Sequence, residues 1–559
     1  MDQTTALLVL VPSVVLIYLY TNKKNGLPLP PGPKKQPLLG NLFDFPSEWP
    51  AQRYARWGKE LESDVIHLSA PGQNVVVLNS VTAATDLLEK KSAIYSSRPS
   101  MVMISNLMGW GWLVSALPYG QLWKDRRRMF QSYFNPGNAA AYQPAQAIHT
   151  AKTLLKLLEK PSAFLEVTRH EIGSLALSVT YGIETADDND PFLGIAEIAG
   201  KSFEKATSQS FLVDVIPAIR WFPSFLPGAG FQKKAYNWWC IQKAFREEAY
   251  TMTEIRSILQ VSRPSFVTTM TSESTDDLDA EQRHGRQEAI KDTAGTVFAA
   301  GADTTLSGIQ AFFAAMLYYP DAQKKAQDEL DRVLLGRLPE LADEPDLPYV
   351  TALVREVLRW QPATPLAVPH SLVEEDVYRG CRIPQDSIVI PNIWAMLHDE
   401  TDYPLPEHFN PDRFLDKDGL LNPKVRDPSD IAFGFGRRVC PGKHIALSTT
   451  WLMIAGVLST FNISKAINEA GEPVAPSVCF KSAMIVHPEA FTCTIKPRSQ
   501  QAEFLIRGAA AAASALSESL TPPSEPQGKL SLDEVKEMTA GLLAKMENKS
   551  RTVLETLQC

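Results

Sequence analysis

Residues 433–442, which read FGFGRRVCPG, contain the residue types of a site that ligates a metal. A cysteine binds iron as a thiolate, and backbone N–H donors around the sulfur tune its basicity. Glycines at three positions would let this loop fold tightly beneath a flat macrocycle and turn such donors toward the sulfur. A single cysteine beside a glycine turn is more often structural, but the full spacing Phe-x-x-Gly-x-Arg-x-Cys-x-Gly favours a ligand. We therefore expect Cys440 to be the axial ligand of a haem iron, and its expected haem-contacting neighbours are Phe433, Gly436 and Arg438.

A second candidate segment lies in a long helical pattern that stops at Pro320, where residues 298–305 read FAAGADTT. At 3.6 residues per turn, Ala300, Gly301 and Thr304 share one helical face. A glycine inside a helix costs about 1 kcal/mol relative to alanine. Close helix packing through small residues would offset that cost, and so would room for a small molecule such as dioxygen. The residues alone leave both explanations open.

Three further patterns carry little information by themselves. Glu356 and Arg359 are three residues apart on one helical face, where most such pairs are solvated. Residues 123–128 read WKDRRR, which also fits a solvated basic face or a docking surface for an acidic protein. A lone histidine such as His370 is usually structural.

Taken together, these segments resemble the cytochrome P-450 superfamily over roughly residues 28–498. The loop at Cys440 has every defining position of the family's haem loop, and the segment around Gly301 resembles its oxygen-binding helix. The resemblance implies thiolate-ligated haem b as the cofactor. It also implies that Asp303 and Thr304 relay protons during oxygen activation.

The resemblance also assigns roles to the weaker patterns. The expected contacts to the haem propionates are Arg438, Trp123, Arg127 and His370. Glu356, Arg359 and Arg413 would form a buried, mutually neutralising network that is structural rather than catalytic. The roles of Arg126 and Arg128 stay open.

The implied reaction inserts one oxygen atom from O2 into a C–H bond or across a double bond of a small apolar organic substrate. The chain has no Gly-x-Gly-x-x-Gly after a strand and no Walker A run, so it shows no site for its own NAD(P) or flavin. We therefore expect electrons from NADPH–cytochrome P-450 reductase, with cytochrome b5 as a second candidate donor. The alternatives are a haem-thiolate isomerase, dehydratase or peroxygenase, which Asp303 and Thr304 disfavour, and a non-catalytic haem-binding scaffold.

The region from 365 to 399 resembles fungal members of the superfamily that act in secondary metabolism, of the O-methylsterigmatocystin oxidoreductase and tryptamine hydroxylase types. Terpenoid, indole and polyketide substrates all fit this resemblance. Residues 221–227 either dip into the bilayer or form an ordinary buried turn. The segments expected to line the substrate pocket are 100–116, 205–230, the helix near 300, 362–368 and 482–486.

Between its ends the chain is expected to be mainly α with small β-sheets, the strands lying near 65–79 and 366–392. The apolar run before Lys23 and Lys24 predicts a single-pass anchor in the endoplasmic reticulum membrane, with the catalytic domain in the cytosol. A terminal helix is plausible from Ser531. The expected organisation is a transmembrane signal anchor at 1–22, a stiff proline-rich linker at 23–40, a haem-thiolate catalytic domain at 41–498 and a mobile low-complexity tail at 499–559.

Composition excludes some other classes. The net charge is −8 and there is no sustained run of Lys and Arg, which argues against a nucleic-acid-binding surface. Six scattered cysteines are sparse for a disulfide-stapled secreted protein of 559 residues, so we expect reduced thiols.

Overall fold

The computed structural model describes residues 26–208, 211–223, 229–274, 277–468 and 470–520. Helices dominate this part of the chain, as the sequence predicts. In chain order the α-helices are α1 (Pro50–Glu60), α2 (Val81–Ala84), α3 (Ser92–Tyr95), α4 (Gln121–Tyr133), α5 (Gln143–Glu159), α6 (Phe164–Tyr181), α7 (Pro191–Thr207), α8 (Leu212–Val215), α9 (Gly230–Ile258), α10 (Phe266–Ser272), α11 (Ala280–Tyr318), α12 (Pro320–Leu334), α13 (Pro348–Trp360), α14 (Ile393–Leu397), α15 (Ser429–Ala432), α16 (Lys443–Thr460) and α17 (Gln500–Ser519).

The strands form one four-stranded sheet in the order β1-β2-β6-β3 and two antiparallel pairs, β4 with β5 and β7 with β8. Six of these strands lie in the two predicted regions, so the expectation of short strands there is confirmed. The pair β7–β8 was not predicted. The bounds are β1 (Val65–Ala70), β2 (Gln73–Leu78), β3 (His370–Ser371), β4 (Asp376–Tyr378), β5 (Cys381–Ile383), β6 (Ile388–Pro391), β7 (Phe461–Lys465) and β8 (Cys493–Pro497).

The 39-residue helix α11 is the central element, and it ends just before Pro320 as predicted. At its start, Asp279 and Gln282 form a capping box that satisfies otherwise free backbone donors. Its first half packs into one apolar cluster through residues such as Phe298. Its second half packs into another through residues such as Phe312.

Burial along α11 is interrupted in the middle. Residues 289–290, 292–298 and 306–317 are buried, whereas 299–305 are half-buried or exposed. A helix that is apolar on all sides is normally buried on all sides. The middle of α11 is therefore more accessible than the two parts of the helix that pack into the apolar clusters.

A buried ionic network fastens α13 to the segment that follows α14. Arg359 Nε and Nη2 donate to the Glu356 carboxylate at 2.7 and 2.8 Å, and both side chains have 0% exposure. Arg413 Nε lies 3.2 Å from Glu356 Oε1, and the backbone N–H of Asn410 donates to the same oxygen at 2.7 Å. The structure thus brings the three residues together in the arrangement that the sequence resemblance implied. Charges buried this completely are tolerated only when they are paired.

The described part of the proline-rich segment is extended, but it is not a free spacer. Its carbonyls at Pro28 and Pro31 accept hydrogen bonds from Arg382 N and His67 N at 2.7 and 2.8 Å. A Cβ on Gly32 would lie 1.9 Å from the carbonyl oxygen of His67, so only glycine fits there. From Pro28 onward this segment is therefore part of the folded body, because its backbone hydrogen bonds hold it against the strands.

The prediction of a mobile low-complexity tail is wrong for its first part. Residues Gln500–Ser519 form α17, capped by Ser499, whose side chain accepts from Ala502 N. Ile506 is fully buried in the same cluster as the second half of α11, and Ala513 packs against α5. Alanine has the best helix propensity and its small side chain permits close packing, so this composition suits a docked helix. The plausible helix from Ser531 lies outside the described residues.

The predicted membrane anchor at residues 1–22 also lies outside the described residues. Among the helices in the described part of the chain, none has both the length and the apolar character needed to span a bilayer.

Candidate active site

The loop that carries Cys440 is held by backbone contacts on both sides. Cys440 N donates to the carbonyl of Phe433 at 2.8 Å, which closes the loop around a short 3-10 turn, Gly436–Arg438. Gly436 has a φ of 58°, and a Cβ there would lie 2.1 Å from the carbonyl oxygen of Leu88. A side chain at this position would therefore push the loop away from its neighbour.

Burial and the neighbouring polar groups have opposite effects on the pKa of the Cys440 thiol. Burial raises the pKa of the Cys440 thiol, whereas the backbone N–H of Gly442 and the charges of Arg127 and Lys443 lower it, and the net direction is upward. A free thiol here is therefore neutral near pH 7. A metal ion that coordinates a thiol displaces its proton, and the Gly442 N–H and the two nearby positive charges would then stabilise the thiolate.

Four cationic or titratable side chains converge beside this loop. Arg127 donates to the carbonyl of Val439 at 2.5 Å, next to the cysteine. Arg438 donates to the carbonyls of Ser96 and Leu117 at 2.7 and 2.8 Å. Its guanidinium also stacks on Trp123, 4.3 Å from the ring centroid. Arg98 and His370 lie beside them. We call these four residues, Arg98, Arg127, His370 and Arg438, the basic cluster.

Arg98 was missed by the sequence reasoning. Its guanidinium donates to the carbonyls of Val368 and Pro369 at 2.6 and 2.8 Å. These partners lie about 270 positions away along the chain. A single arginine in a loop carries no local signal, so only the folded structure shows that it joins the cluster. His370 lies beside it, and its Nδ1 donates to the carbonyl of Tyr95 at 2.7 Å.

The basic cluster has the electrostatics of an anion site. Among the described residues, none of the three arginines forms an ion pair with a carboxylate, since their partners are carbonyl oxygens. Burial, together with the nearby Arg127, lowers the pKa of Arg438 to about 10. Burial and the charges of Arg98 and Arg438 also hold the pKa of His370 well below its ordinary value. Positive groups lower one another's pKa in this way, and a bound anion would offset the effect. The two propionates of haem b are anions that fit this requirement.

The neighbouring arginines have other roles. Arg126 is buried and its Nη2 lies 2.5 Å from Asp292 Oδ2 on α11, so it joins α4 to the central helix. Asp292 is also paired with Arg246 from α9. Arg128 is exposed and pairs with Asp125 within α4. The question that the sequence left open for Arg126 is thus answered by a structural ion pair.

Asp303 and Thr304, the acid and the alcohol on α11, lie in the more accessible middle of that helix. Thr304 Oγ1 donates to the carbonyl of Ala300 at 2.8 Å. Asp303 keeps 40% of its side chain exposed. A Cβ on Gly301 would touch only Ala176 Cβ at 3.8 Å, an ordinary contact. Close helix packing therefore does not require glycine here, which leaves the second explanation, free space beside the helix.

His487 is a second residue that the sequence reasoning missed. Its Nε2 lies 3.1 Å from Asp303 Oδ1, and its Nδ1 lies 3.0 Å from Gln310 Oε1. Burial raises the pKa of Asp303, but the neighbouring His487 and the charge of Arg169 outweigh burial and leave that pKa below its ordinary value. Asp303 is therefore a carboxylate near neutral pH.

One of the expected pocket segments reaches α11, and two others are joined to each other. Val114 N donates to Thr296 Oγ1 at 3.1 Å, and a Cβ on Gly295 would lie 2.7 Å from the Trp112 ring. Val486 N donates to the carbonyl of Ala363 at 2.9 Å, which joins two more of these segments. Residues 209–210 and 224–228 of the remaining segment are outside the described part of the chain, and so is most of 221–227.

The comparisons with known proteins agree with this geometry. The family profile for cytochrome P-450 matches residues 30–488. The chain is 46% identical over 489 residues to cytochrome P-450 monooxygenase ple1 of Rhodocybe pseudopiperita, covering 87% of this chain and 93% of that one. It is 41% identical to cytochrome P-450 monooxygenase 98 of Postia placenta, over 89% of this chain and 96% of that one. It is 39% identical to tryptamine 4-monooxygenase of Psilocybe cyanescens, over 85% of this chain and 94% of that one.

The chain therefore belongs to the cytochrome P-450 family. It is an oxygen-incorporating oxidoreductase, and its cofactor is haem b held through a cysteine thiolate. Helix α17 lies beyond the region that the family profile matches.

Proposed function

We propose that this chain hydroxylates or epoxidises a small apolar organic substrate in fungal secondary metabolism, with Cys440 as the axial ligand of its haem iron. The observation that carries this proposal is the basic cluster, whose arginines have no carboxylate partner among the described residues. It lies beside Cys440, whose thiolate form is favoured by the backbone N–H of Gly442 and the charges of Arg127 and Lys443. The haem would supply the reductive activation of dioxygen, favoured by electron donation from the thiolate. The roles of the protein are to bind the cofactor, orient the substrate, exclude water and deliver protons.

Each haem-facing residue has a distinct task in this proposal. Arg98, Arg127 and Arg438 hold the propionates through charge-assisted hydrogen bonds, and stacking on Trp123 orients Arg438. The neutral His370, whose Nδ1–H is committed to a backbone carbonyl, can approach a propionate as a donor only after gaining a proton. A bound carboxylate favours that proton. Phe433 and Gly436 would shape the loop that carries Cys440, and Gly301 would leave room beside α11.

Asp303 and Thr304 deliver protons in this proposal. The carboxylate accepts a proton from the surroundings. The hydroxyl of Thr304, which donates to the carbonyl of Ala300, must release that hydrogen bond before it can pass a proton on. Isomerases and dehydratases of this class need no such relay. The pair therefore favours monooxygenation over those alternatives.

We expect Thr304→Ala to retain haem and its spectrum while product formed per NADPH consumed falls about tenfold or more, since one positioned proton transfer contributes about 100- to 10,000-fold in rate. The lost reducing equivalents should appear as hydrogen peroxide. The measurement compares NADPH consumed, peroxide released and product formed by purified protein with its reductase. Thr304→Ser keeps the hydroxyl and should stay close to wild type, so equal yields from the alanine, serine and native proteins would refute the relay.

Product analysis would decide the substrate class. Tryptamine 4-monooxygenase is named for an indole amine, and terpenoid, indole and polyketide skeletons all remain candidates for this chain. The experiment co-expresses the chain with NADPH–cytochrome P-450 reductase, with and without cytochrome b5, and with its neighbouring biosynthetic enzymes. New oxygenated products that require the chain support the proposal. If the reductase adds nothing to turnover, the proposed electron donor is wrong.

We also propose that residues 1–22 anchor the chain in the endoplasmic reticulum membrane with the catalytic domain in the cytosol. The apolar run before Lys23 supports this, and so do exposed aromatic side chains such as Phe43 and Trp221, at 73% and 76% exposure. We expect the full chain to stay in the membrane fraction after alkaline carbonate washing and a chain lacking residues 1–22 to be released. A full chain that is itself released by the wash would overturn the anchor.

A further inference from the structure

The short segment from Tyr95 to Arg98 contacts most of the basic cluster through its main chain. The carbonyl of Tyr95 accepts from His370 Nδ1 at 2.7 Å, and the carbonyl of Ser96 accepts from Arg438 Nε at 2.7 Å. The last residue of the segment is Arg98 itself, a third member of the cluster. The path of this main chain therefore helps to set the positions of three of the four cluster side chains.

The side chain of Tyr95 anchors this segment to strand β4. Tyr95 is fully buried, and its hydroxyl donates to Asp376 Oδ2 at 2.9 Å. Lys91 Nζ lies 2.7 and 2.8 Å from the two oxygens of the same carboxylate. Burial and the charge of Asp376 raise the pKa of Tyr95, so the phenol keeps its proton and remains a donor. We call Lys91, Tyr95 and Asp376 the inner triad.

A second set of the same three residue types joins the same two parts of the chain. The hydroxyl of Tyr378 donates to Asp86 Oδ2 at 2.8 Å, and Lys90 Nζ lies 2.8 Å from Asp86 Oδ1. We call these three residues the outer triad, since its lysine and aspartate are more exposed than those of the inner triad. Among the described residues, the outer triad forms no hydrogen bond with the segment from Tyr95 to Arg98. The two triads therefore share their chemistry and differ in what they anchor.

The orientation of Arg98 shows why a fixed main chain matters here. Its Nε donates to the carbonyl of Ser115 at 2.9 Å, and its Nη1 donates to two carbonyls just before His370. Its Nη2 has no hydrogen-bond partner among the residues that the structure describes, so two N–H groups are available to an anion. Because hydrogen bonds to a carboxylate are directional, these donors bind best when the backbone at Arg98 does not move.

We propose that the inner triad, through Tyr95 as a positioning residue, holds the basic cluster in place for the haem propionates and thereby affects how tightly haem is bound and its reduction potential. This inference rests on the proposed role of the basic cluster and extends it to residues outside that cluster. Cations that are already in place when an anion binds lose less conformational entropy on binding. Positive charges close to the propionates also favour the ferrous form, so their distance affects the potential.

Matched substitutions in the two triads test this proposal. Tyr95→Phe removes one hydroxyl and keeps the ring, and Tyr378→Phe is the same change in the outer triad. Lys91→Met and Lys90→Met form a second matched pair, which decides the question by the same criteria if Tyr95→Phe does not fold. All variants are produced as the full chain with haem. Far-UV circular dichroism and the carbon monoxide difference spectrum are recorded for each before any comparison.

The readouts are the rate of haem transfer to excess apomyoglobin and the reduction potential, both measured without substrate. We expect Tyr95→Phe to lose haem about three- to tenfold faster, a part of what one hydrogen bond to a charged acceptor contributes. Its potential should become more negative, because the cations are held less closely to the propionates. Lys91→Met should change both readouts in the same directions but by less, since the phenol keeps its acceptor. Tyr378→Phe and Lys90→Met should match wild type in both.

Arg438→Gln separates the two levels of the argument. If Arg438→Gln loses haem no faster than wild type, the proposed propionate contact fails, and this inference fails with it. If Arg438→Gln loses haem faster while the inner-triad and outer-triad variants behave alike, the contact stands and the positioning role of Tyr95 is overturned. Faster haem loss from Tyr95→Phe at an unchanged potential also overturns it, because looser packing alone would explain that result. Faster loss together with a more negative potential, confined to the inner-triad variants, supports the proposal.

Discussion

Cys440→Ala should give a folded protein without the thiolate-type Soret band in its reduced carbon monoxide difference spectrum and without detectable monooxygenase activity. Alanine offers no ligand to iron, and the donation that favours O–O cleavage is lost with the sulfur. The basic cluster would still offer cations to the propionates, so some haem should stay bound, but with a different axial ligand. This is the largest functional effect that we expect from any single substitution in the chain.

The spectrum is measured together with far-UV circular dichroism and haem content, so that misfolding is distinguished from loss of the ligand. Cys479→Ala is the matched control, because Cys479 is exposed and lies outside the haem loop. It should keep both the band and the activity. A thiolate-type band that persists in Cys440→Ala, or that disappears in Cys479→Ala, would show that the ligand has been assigned to the wrong cysteine.

Glu356→Gln should have the largest effect on stability, lowering the free energy of unfolding by about 3–5 kcal/mol, the usual cost of breaking a buried ion pair from one side. The carboxylate of Glu356 accepts from Arg359, Arg413 and the backbone of Asn410. Glutamine has nearly the same shape but no charge, so the two guanidinium groups would face each other without an anion. A loss of this size is a large share of the stability of a typical protein, about 5–15 kcal/mol.

The expected result is a lower midpoint of urea-induced unfolding, followed by circular dichroism, together with reduced haem retention on purification. Haem retention should fall because Arg413 and Asn410 order the chain that leads toward the loop of Cys440. Glu374→Gln is the control, since Glu374 is exposed and should change stability by less than about 0.5 kcal/mol. If both variants unfold at the same urea concentration as wild type, the network does not stabilise the fold.

The candidate site residues that the sequence predicts are those whose signal is local. The haem loop and the acid–alcohol pair on α11 are each encoded within about ten residues, because a tight loop and a helical face constrain neighbouring positions. Glu356, Arg359 and Arg413 needed a family resemblance as well, since the pair on α13 looks like any solvated helix surface until Arg413 is brought to it by the fold.

The errors have physical causes too. The alanine-rich stretch after residue 498 was interpreted as mobile because alanine buries little area, yet alanine also forms helices best and allows close approach, and α17 docks through Ile506 and Ala513. The strands β7 and β8 were missed because each is five residues long and pairs with a partner distant in sequence. Their stability comes from pairing rather than from intrinsic preference.

The sequence by itself determined the class of cofactor, and it predicts the ligand and the proton-relay pair, since each depends on residue types at short, fixed spacings. The tertiary structure alone decided which charges surround them. Arg98 joins the basic cluster, and His487 faces Asp303, through contacts between parts of the chain that are more than a hundred residues apart. Electrostatic interactions depend on distance in space and on burial, neither of which a linear sequence specifies for residues so far apart.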